Sequence, residues 1–472
     1  MTRQTTKPTL ETIQTELADP DYKVRKEAIK QLMRYHRKQA FEPLSGMLQD
    51  ARGDVRAKVV QALGKLKDAR ALLPVLGLLG DKHSGTRAQV VRALGNCGDR
   101  SVVPLLLDLL NDPKPQMRMY AARSLGQLRD LNALPAVLAY LECVKSTDDS
   151  AELYHVACAV RDFDVPGVIE PLLALYQPTV IGHPVLMPNY WLVTEVLSKQ
   201  GEHTWPILLE ILVDQTRPAE VRACVADALS RRPRPEYLQP LLAALTDDKS
   251  YVCVNAAAAL KKLRDPLAIE PLARLLDDAR ENVLIAAIEA LSALHATIIV
   301  NRLVAMLSVT SFTRPEVYTV LAAVIKALGQ LGDAQVVRPL LDAFCQPLHF
   351  SCLSEIATTL CKLNDRMVVE PLLKHLQAFD LNHQWYTFQI LEHFRDPRAV
   401  EPLLALLDPH ASSWHEINHQ KRIIGLLAIL GDSRAMEQLR VYAQQTIDEL
   451  HFAGISARSI LEAARRQSAR KR

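Results

Sequence analysis

Residues 50–80 read DARGDVRAKVVQALGKLKDARALLPVLGLLG, and the same spacing returns on both sides of them. Arginine stands at Arg25, Arg56, Arg87 and Arg118, 31 residues apart each time, with Asp19, Asp50, Asp81 and Asp112 six residues ahead of them. Leu32, Leu63, Leu94 and Leu125 follow the arginines by seven residues. A fixed period of this length marks stacked structural units, each burying its apolar face against the next. Within one unit Val55, Val59, Leu63 and Leu66 recur at three and four residues, which is one face of an amphipathic helix. Asp19-Pro20 and Asp112-Pro113 predict where that helix starts, with an N-cap aspartate and a proline at the first helical position. Gly64, Gly95 and Gly126 are expected to let its last turn unwind.

A second, proline-led helix completes each unit. Its prolines fall at Pro43, Pro74, Pro104, Pro135, Pro171, Pro206, Pro240, Pro271, Pro339, Pro371 and Pro402. Asn301-Arg302-Leu303 and Glu437-Gln438-Leu439 occupy the same slot without proline, and Pro8-Thr9-Leu10 opens the series. The count predicts about thirteen helical hairpins, and no stretch alternates convincingly as a strand. The expected fold is all-α, a superhelical α-solenoid over residues 1–457 followed by a basic tail, 458–472.

Hydrophobic residues make up 49% and charged residues 23%, which places the chain among ordered proteins. No apolar run approaches the roughly 18 residues of a membrane span, and the start MTRQTTKPT lacks a signal-peptide core. The eight cysteines form no CxxC pair, so buried thiols in a reducing compartment, the cytoplasm, are expected. The net charge of +3 conceals a division: residues 1–130, the regular repeats, carry +9, the tail +5, and the irregular repeats 131–457 carry −11. Such segregation favours separate partner surfaces along the array.

The period near 31 and the run D-x-x-x-x-V-R-x-x-A-x-x-A-L-G-x-L-x-D resemble HEAT-like repeats of the phycobilisome-lyase (PBS lyase) type over nearly the whole chain. The resemblance implies the solenoid fold. It also implies three kinds of function, because this repeat type includes protein-binding scaffolds, bilin lyases and the deoxyhypusine hydroxylases.

The arginine series admits an anion-binding ladder or a structural one. Six helical steps turn a side chain about 600°, or 240° net, so each arginine points away from its own aspartate. Bridges from one repeat to the next are therefore expected for Asp19, Arg25, Asp50, Arg56, Asp81, Arg87, Asp112 and Arg118. Arg222 occupies the slot once more, followed by Cys253, Leu284, Leu321, Leu353, Gln384 and Gln420. Other basic residues, among them Lys30, Arg34, Arg37, Lys58, Lys65, Arg92 and Arg123, form solvated faces or a surface for an acidic ligand; the basic tail is a second such place. Scarce aromatic residues in this block argue against nucleic acid.

Irregular connections at 176–190, 308–317, 346–352, 378–386 and 408–418 carry aromatic residues. Tyr190, Trp191, Phe312, Phe350, Trp385, Tyr386 and Trp414 are candidates for contact with a partner. His415-Glu416-Ile417-Asn418-His419 satisfies H-E-x-x-H, making His415, Glu416 and His419 candidate metal ligands. The longer metalloprotease pattern fails, with Arg422 in the glycine slot and Gly425 in the third histidine slot. One His-Glu pair is also too few for the di-iron centre that resemblance to the hydroxylases implies. No nucleotide-binding or acyl-transfer motif occurs. The expected function is a non-catalytic scaffold that holds a protein partner, with no cofactor and no membrane; a bilin lyase and a metal-dependent hydroxylase are the alternatives.

Overall fold

The computed structural model describes residues 8–145, 150–175, 189–307, 315–408 and 414–432, with positions 434, 437 and 439. Phe312 and the tail 458–472 lie outside the described residues. The chain divides into two units, Met1–Ala244 and Leu245–Arg472.

The first unit opens with α1 (Leu10–Leu17), α2 (Tyr22–Tyr35), α3 (Phe41–Gly46), α4 (Gly53–Leu66), α5 (Leu72–Leu76), α6 (Ser84–Cys97), α7 (Val103–Leu109) and α8 (Pro115–Leu128). It continues through α9 (Leu134–Val144), α10 (Ser150–Asp162), α11 (Ile169–Leu173), α12 (Tyr190–Leu197), α13 (Trp205–Val213), α14 (Ala219–Ser230) and α15 (Leu238–Ala244). The second unit holds α16 (Ser250–Leu263), α17 (Ile269–Arg274), α18 (Glu281–Ala293), α19 (Val300–Leu307), α20 (Pro315–Leu331) and α21 (Val337–Phe344). It ends with α22 (Phe350–Leu363), α23 (Val369–His375), α24 (Leu381–Phe394), α25 (Val400–Leu404) and α26 (Trp414–Leu430). Short first helices alternate with longer second helices, and the described residues contain no strand. Both units are segments of an all-α solenoid.

Packing follows the apolar period. Second helices stack in sequence, α2 on α4 through to α12 on α14 in the first unit, and α16 on α18 through to α24 on α26 in the second. Leu32, Leu63, Leu94 and Leu125, the leucines of the repeat, are fully buried in that row. The glycines serve the same contact. A Cβ at Gly64 would lie 2.7 Å from the Cβ of Ala93, and one at Gly95 would lie 2.6 Å from the Cα of Ser124. They are therefore close-approach positions inside the helix, not the unwinding ends that the sequence suggests. The left-handed ends come three residues later, at Lys67, Gly98 and Arg129, with φ of 58°, 78° and 51°.

Gly126 tests this reading. A Cβ there would overlap the carbonyl oxygen of Ala159 and sit 2.9 Å from its Cα, and backbone cannot move aside cheaply. Gly126→Ala is expected to lower stability by about 1–3 kcal/mol, although alanine is intrinsically the better helix former by about 1 kcal/mol. A urea titration followed by circular dichroism reads the sign directly.

The repeated aspartates do not cap the helices either. Asp19, Asp50, Asp81 and Asp112 each accept a hydrogen bond from the amide two residues on, at 2.7–2.8 Å. The N-caps are Asp21, Arg52, His83 and Lys114, and the proline at the first helical position of α8 is Pro115 rather than Pro113. This turn leaves one aspartate oxygen edge facing the previous repeat. Arg25 grips Asp50 with two bonds of 2.7 and 3.0 Å, and Arg56 grips Asp81 with two of 2.7 Å. The other arm of each guanidinium donates to main-chain carbonyls of its own repeat, Asp19 and Pro20 for Arg25, Asp50 and Ala51 for Arg56.

The ladder is shorter than its sequence. Arg87 donates to the carbonyls of Asp81 and Lys82, but among the described residues it forms no ion pair with Asp112, whose carboxylate receives the Lys114 amide. Arg118 pairs instead with buried Glu152 on α10, at 2.8 Å; the 31-residue spacing lapses here, since α10 begins 35 residues after α8 and position 143 falls inside α9. Tyr140 donates to the same carboxylate, and burial followed by that bond raises its phenol pKa.

The slot then reappears under another residue. Cys253 holds the arginine position of α16, and its thiol meets the Asp247 carbonyl at 3.0 Å. Arg280, the N-cap residue of α18, reaches back to the carbonyls of Asp247 and Asp248, both at 3.1 Å, while forking onto Asp278. Carbonyls of one repeat and a carboxylate of the next are joined by one guanidinium, as at Arg56. Further along, Gln384 and Gln420 donate from the same slot to the carbonyls of Leu376 and Leu406.

Candidate functional site

In the second unit, α24 and α26 diverge enough to leave a groove of about 910 Å³. Leu381, Trp385 and Tyr386 from α24 face Asn418, His419 and Arg422 from α26 across it. Asp380 begins α24, its carboxylate accepting from the His383 amide at 2.8 Å and from the His383 ring at 2.9 Å, while the other ring nitrogen meets the Gln346 carbonyl at 3.0 Å. The start of the helix is thus pinned, and one turn on Trp385 is 44% exposed. The Arg422 guanidinium lies 5.6 Å from the centre of the Trp385 ring and is itself held by Glu392 at 2.6 Å. An aromatic plate backed by a fixed cation suits a flat apolar or carboxylate-bearing side chain.

Several sequence candidates change character here. The described aromatic residues expected in connections stand instead within the first two turns of second helices. Trp191 is exposed on α12 and Phe350 on α22, whereas Tyr190 is only 8% exposed and belongs to the core. Trp385 and Tyr386 share the groove. Trp414 begins α26, and its side chain lies outside the described residues.

The H-E-x-x-H run occupies the start of α26, so its histidines are one turn apart on a helix. Both histidines line the groove, but they differ in burial. His415 and Glu416 are exposed, while His419 is buried with its ring 5.1 Å from that of Phe388. Among the described residues no three His, Cys, Asp or Glu side chains gather as a metal-ligand set. None of the eight cysteines is in a disulfide; Cys158, Cys224, Cys253 and Cys352 are buried, but Cys143 is exposed, contrary to the expectation of buried thiols. Burial pushes the Cys361 thiol up to about 11. Among the described residues no helix is long and apolar enough to cross a membrane.

Burial also holds the His419 imidazole below its usual value, and His155 likewise, there aided by Arg123 and Arg92. The unfolded chain takes up protons at these positions near pH 6.5, while the folded chain resists. Their contribution to stability is therefore complete above that pH and is lost as the pH falls through the lower folded values. The melting temperature should stay level from pH 8 to 7 and decline toward pH 5.5, with a shallower decline in His419→Phe.

The family model for HEAT repeats matches residues 10–86, 72–152 and 205–292, and that for the PBS lyase HEAT-like repeat matches residues 320–344. No curated protein matches the chain. Similar solved structures include human deoxyhypusine hydroxylase in complex with glycerol, at 20% identity and a TM-score of 0.25, covering 64% of this chain and 98% of that one. Kap121p is similar at 15% identity and a TM-score of 0.46, covering 97% of this chain and 56% of that one. Kap121p bound to Pho4p matches at 15% identity and a TM-score of 0.44, covering 97% and 54%. The chain spans a little over half the length of Kap121p.

Proposed function

Because the chain is a HEAT-like repeat protein, we propose that it is a non-catalytic scaffold that seats a protein partner in the groove between α24 and α26. The observation that carries this reading is Trp385, a large aromatic ring left 44% exposed beside exposed Leu381, on a helix whose start is pinned. Preformed aromatic anchors of this kind supply much of the binding energy at interfaces. The partner segment enters with an apolar side chain against Trp385 and hydrogen bonds to Asn382 and Asn418. Cysteines without disulfides support a cytoplasmic setting.

Capture on the purified chain, followed by identification and reconstitution of the retained protein, tests the scaffold reading. Wild-type chain should bind the reconstituted partner and Trp385→Ser should not, with helicity unchanged. The bilin-lyase alternative is tested on the same samples. A visible spectral shift on adding free bilin, lost in Trp385→Ser, would replace a protein partner by a tetrapyrrole.

A further inference from the structure

The first unit carries a second groove, of about 340 Å³, between α2 and α4. Five of its lining side chains are cationic: Lys30, Arg34, Arg37, Lys58 and Lys65. Their partners are mostly neutral. Lys58 donates to the Gln61 amide oxygen at 2.8 Å, and Arg37 donates to the Lys65 carbonyl. Glu27 satisfies Lys30 at 2.6 Å, and among the described residues neither Arg34 nor Lys65 forms an ion pair. Burial lowers the Lys58 amine below its ordinary pKa, and the neighbouring charges of Lys65, Lys30 and Lys26 lower it further. Like charges are crowded here against a surface that holds them in place.

Between the cations the groove is apolar. Ile29 and Ala62 are buried in its floor, and half-buried Met33 lies beside them. A nucleic-acid backbone presents charge alone and would leave the half-buried Met33 uncovered, and the groove is lined by no aromatic ring for a base to stack on. An acidic peptide with an apolar side chain answers both parts of the lining. We propose that the α2–α4 groove binds a short acidic segment of a partner protein, its carboxylates on Arg34, Lys58 and Lys65 and an apolar side chain against Met33. It rests on the scaffold reading only in taking a protein as partner, and the two grooves share no residue.

The probe is a fluorescein-labelled peptide of alternating glutamate and leucine, with its glutamine counterpart as control, titrated with the full chain and followed by anisotropy. The acidic peptide should bind, weaken steeply as sodium chloride is raised, and lose roughly tenfold in affinity in Arg34→Gln/Lys65→Gln. Both replaced side chains are exposed, so the melting temperature should not change. Lys374→Gln, which removes an exposed lysine from the second unit, should bind as wild type does. Equal binding of the glutamine peptide, or undiminished binding by the double variant, overturns the proposal. So does a duplex DNA that binds more tightly than the peptide and is lost in the same variant. None of these outcomes bears on Trp385, so the scaffold reading stands or falls separately.

Discussion

Arg56→Ala is expected to cost about 3–5 kcal/mol, the range for removing one partner of a buried ion pair. The size follows from what is left behind. The Asp81 side chain is 5% exposed, and its carboxylate pKa is lowered chiefly because Arg56 bonds to it. Without the guanidinium that charge stays buried with only the His83 amide, and the carbonyls of Asp50 and Ala51 lose their donor. Arg56→Lys should recover little, since a single ammonium cannot fork onto a carboxylate and reach two carbonyls together. Arg280→Ala should behave likewise in the second unit. Arg70→Ala is the contrasting case: its pair with Asp68 is solvent-exposed, and unfolding midpoints should be indistinguishable from wild type. Urea unfolding of the four variants side by side checks the series.

The largest effect on binding is expected at Trp385. Truncation of a central aromatic anchor costs about 2 kcal/mol or more, which is roughly a thirtyfold loss in affinity. Trp385→Ser should reach that loss in titration calorimetry against the reconstituted partner. Stability should barely move, because the ring is 44% exposed and the core of α24 is built by Phe388, Ile390 and Leu391 instead. Arg422→Gln should give a smaller loss, since it removes the cation behind the ring and the bond to Glu392 but leaves the plate itself. A fall in helicity in Trp385→Ser would instead assign the residue to the core.

Much of the fold can be read from residues 50–80, since a 31-residue period and an apolar helical face permit few arrangements besides stacked helices. What cannot be read there is where side chains go between repeats. Gly64 lies within a few residues of the helix end, so close packing and helix termination predict the same residue, and only the neighbouring Ala93 separates them. Asp50 sits two residues ahead of its cap because the bridge to Arg25 needs the carboxylate outside the helix. Arg280 is invisible to a search of the arginine slot, as it arrives from the next helix to fill the place of Cys253. The candidate groove is half legible. Trp385 and Tyr386 stand out as aromatic residues beyond the regular repeat, but their pairing with Arg422 depends on two helices 30 or more residues apart. His415 and His419 match a metal-binding motif and line one groove, but among the described residues no third His, Cys, Asp or Glu side chain joins them as a ligand set.

A photo-crosslinking residue at position 386, introduced into the full chain in its native host, reads out whether a protein segment sits in the groove between α24 and α26. Irradiation should yield one discrete protein adduct, absent when the same residue is placed at exposed position 73 and lost when Trp385→Ser is added. No adduct at position 386, or the same adducts at 73, would contradict that placement.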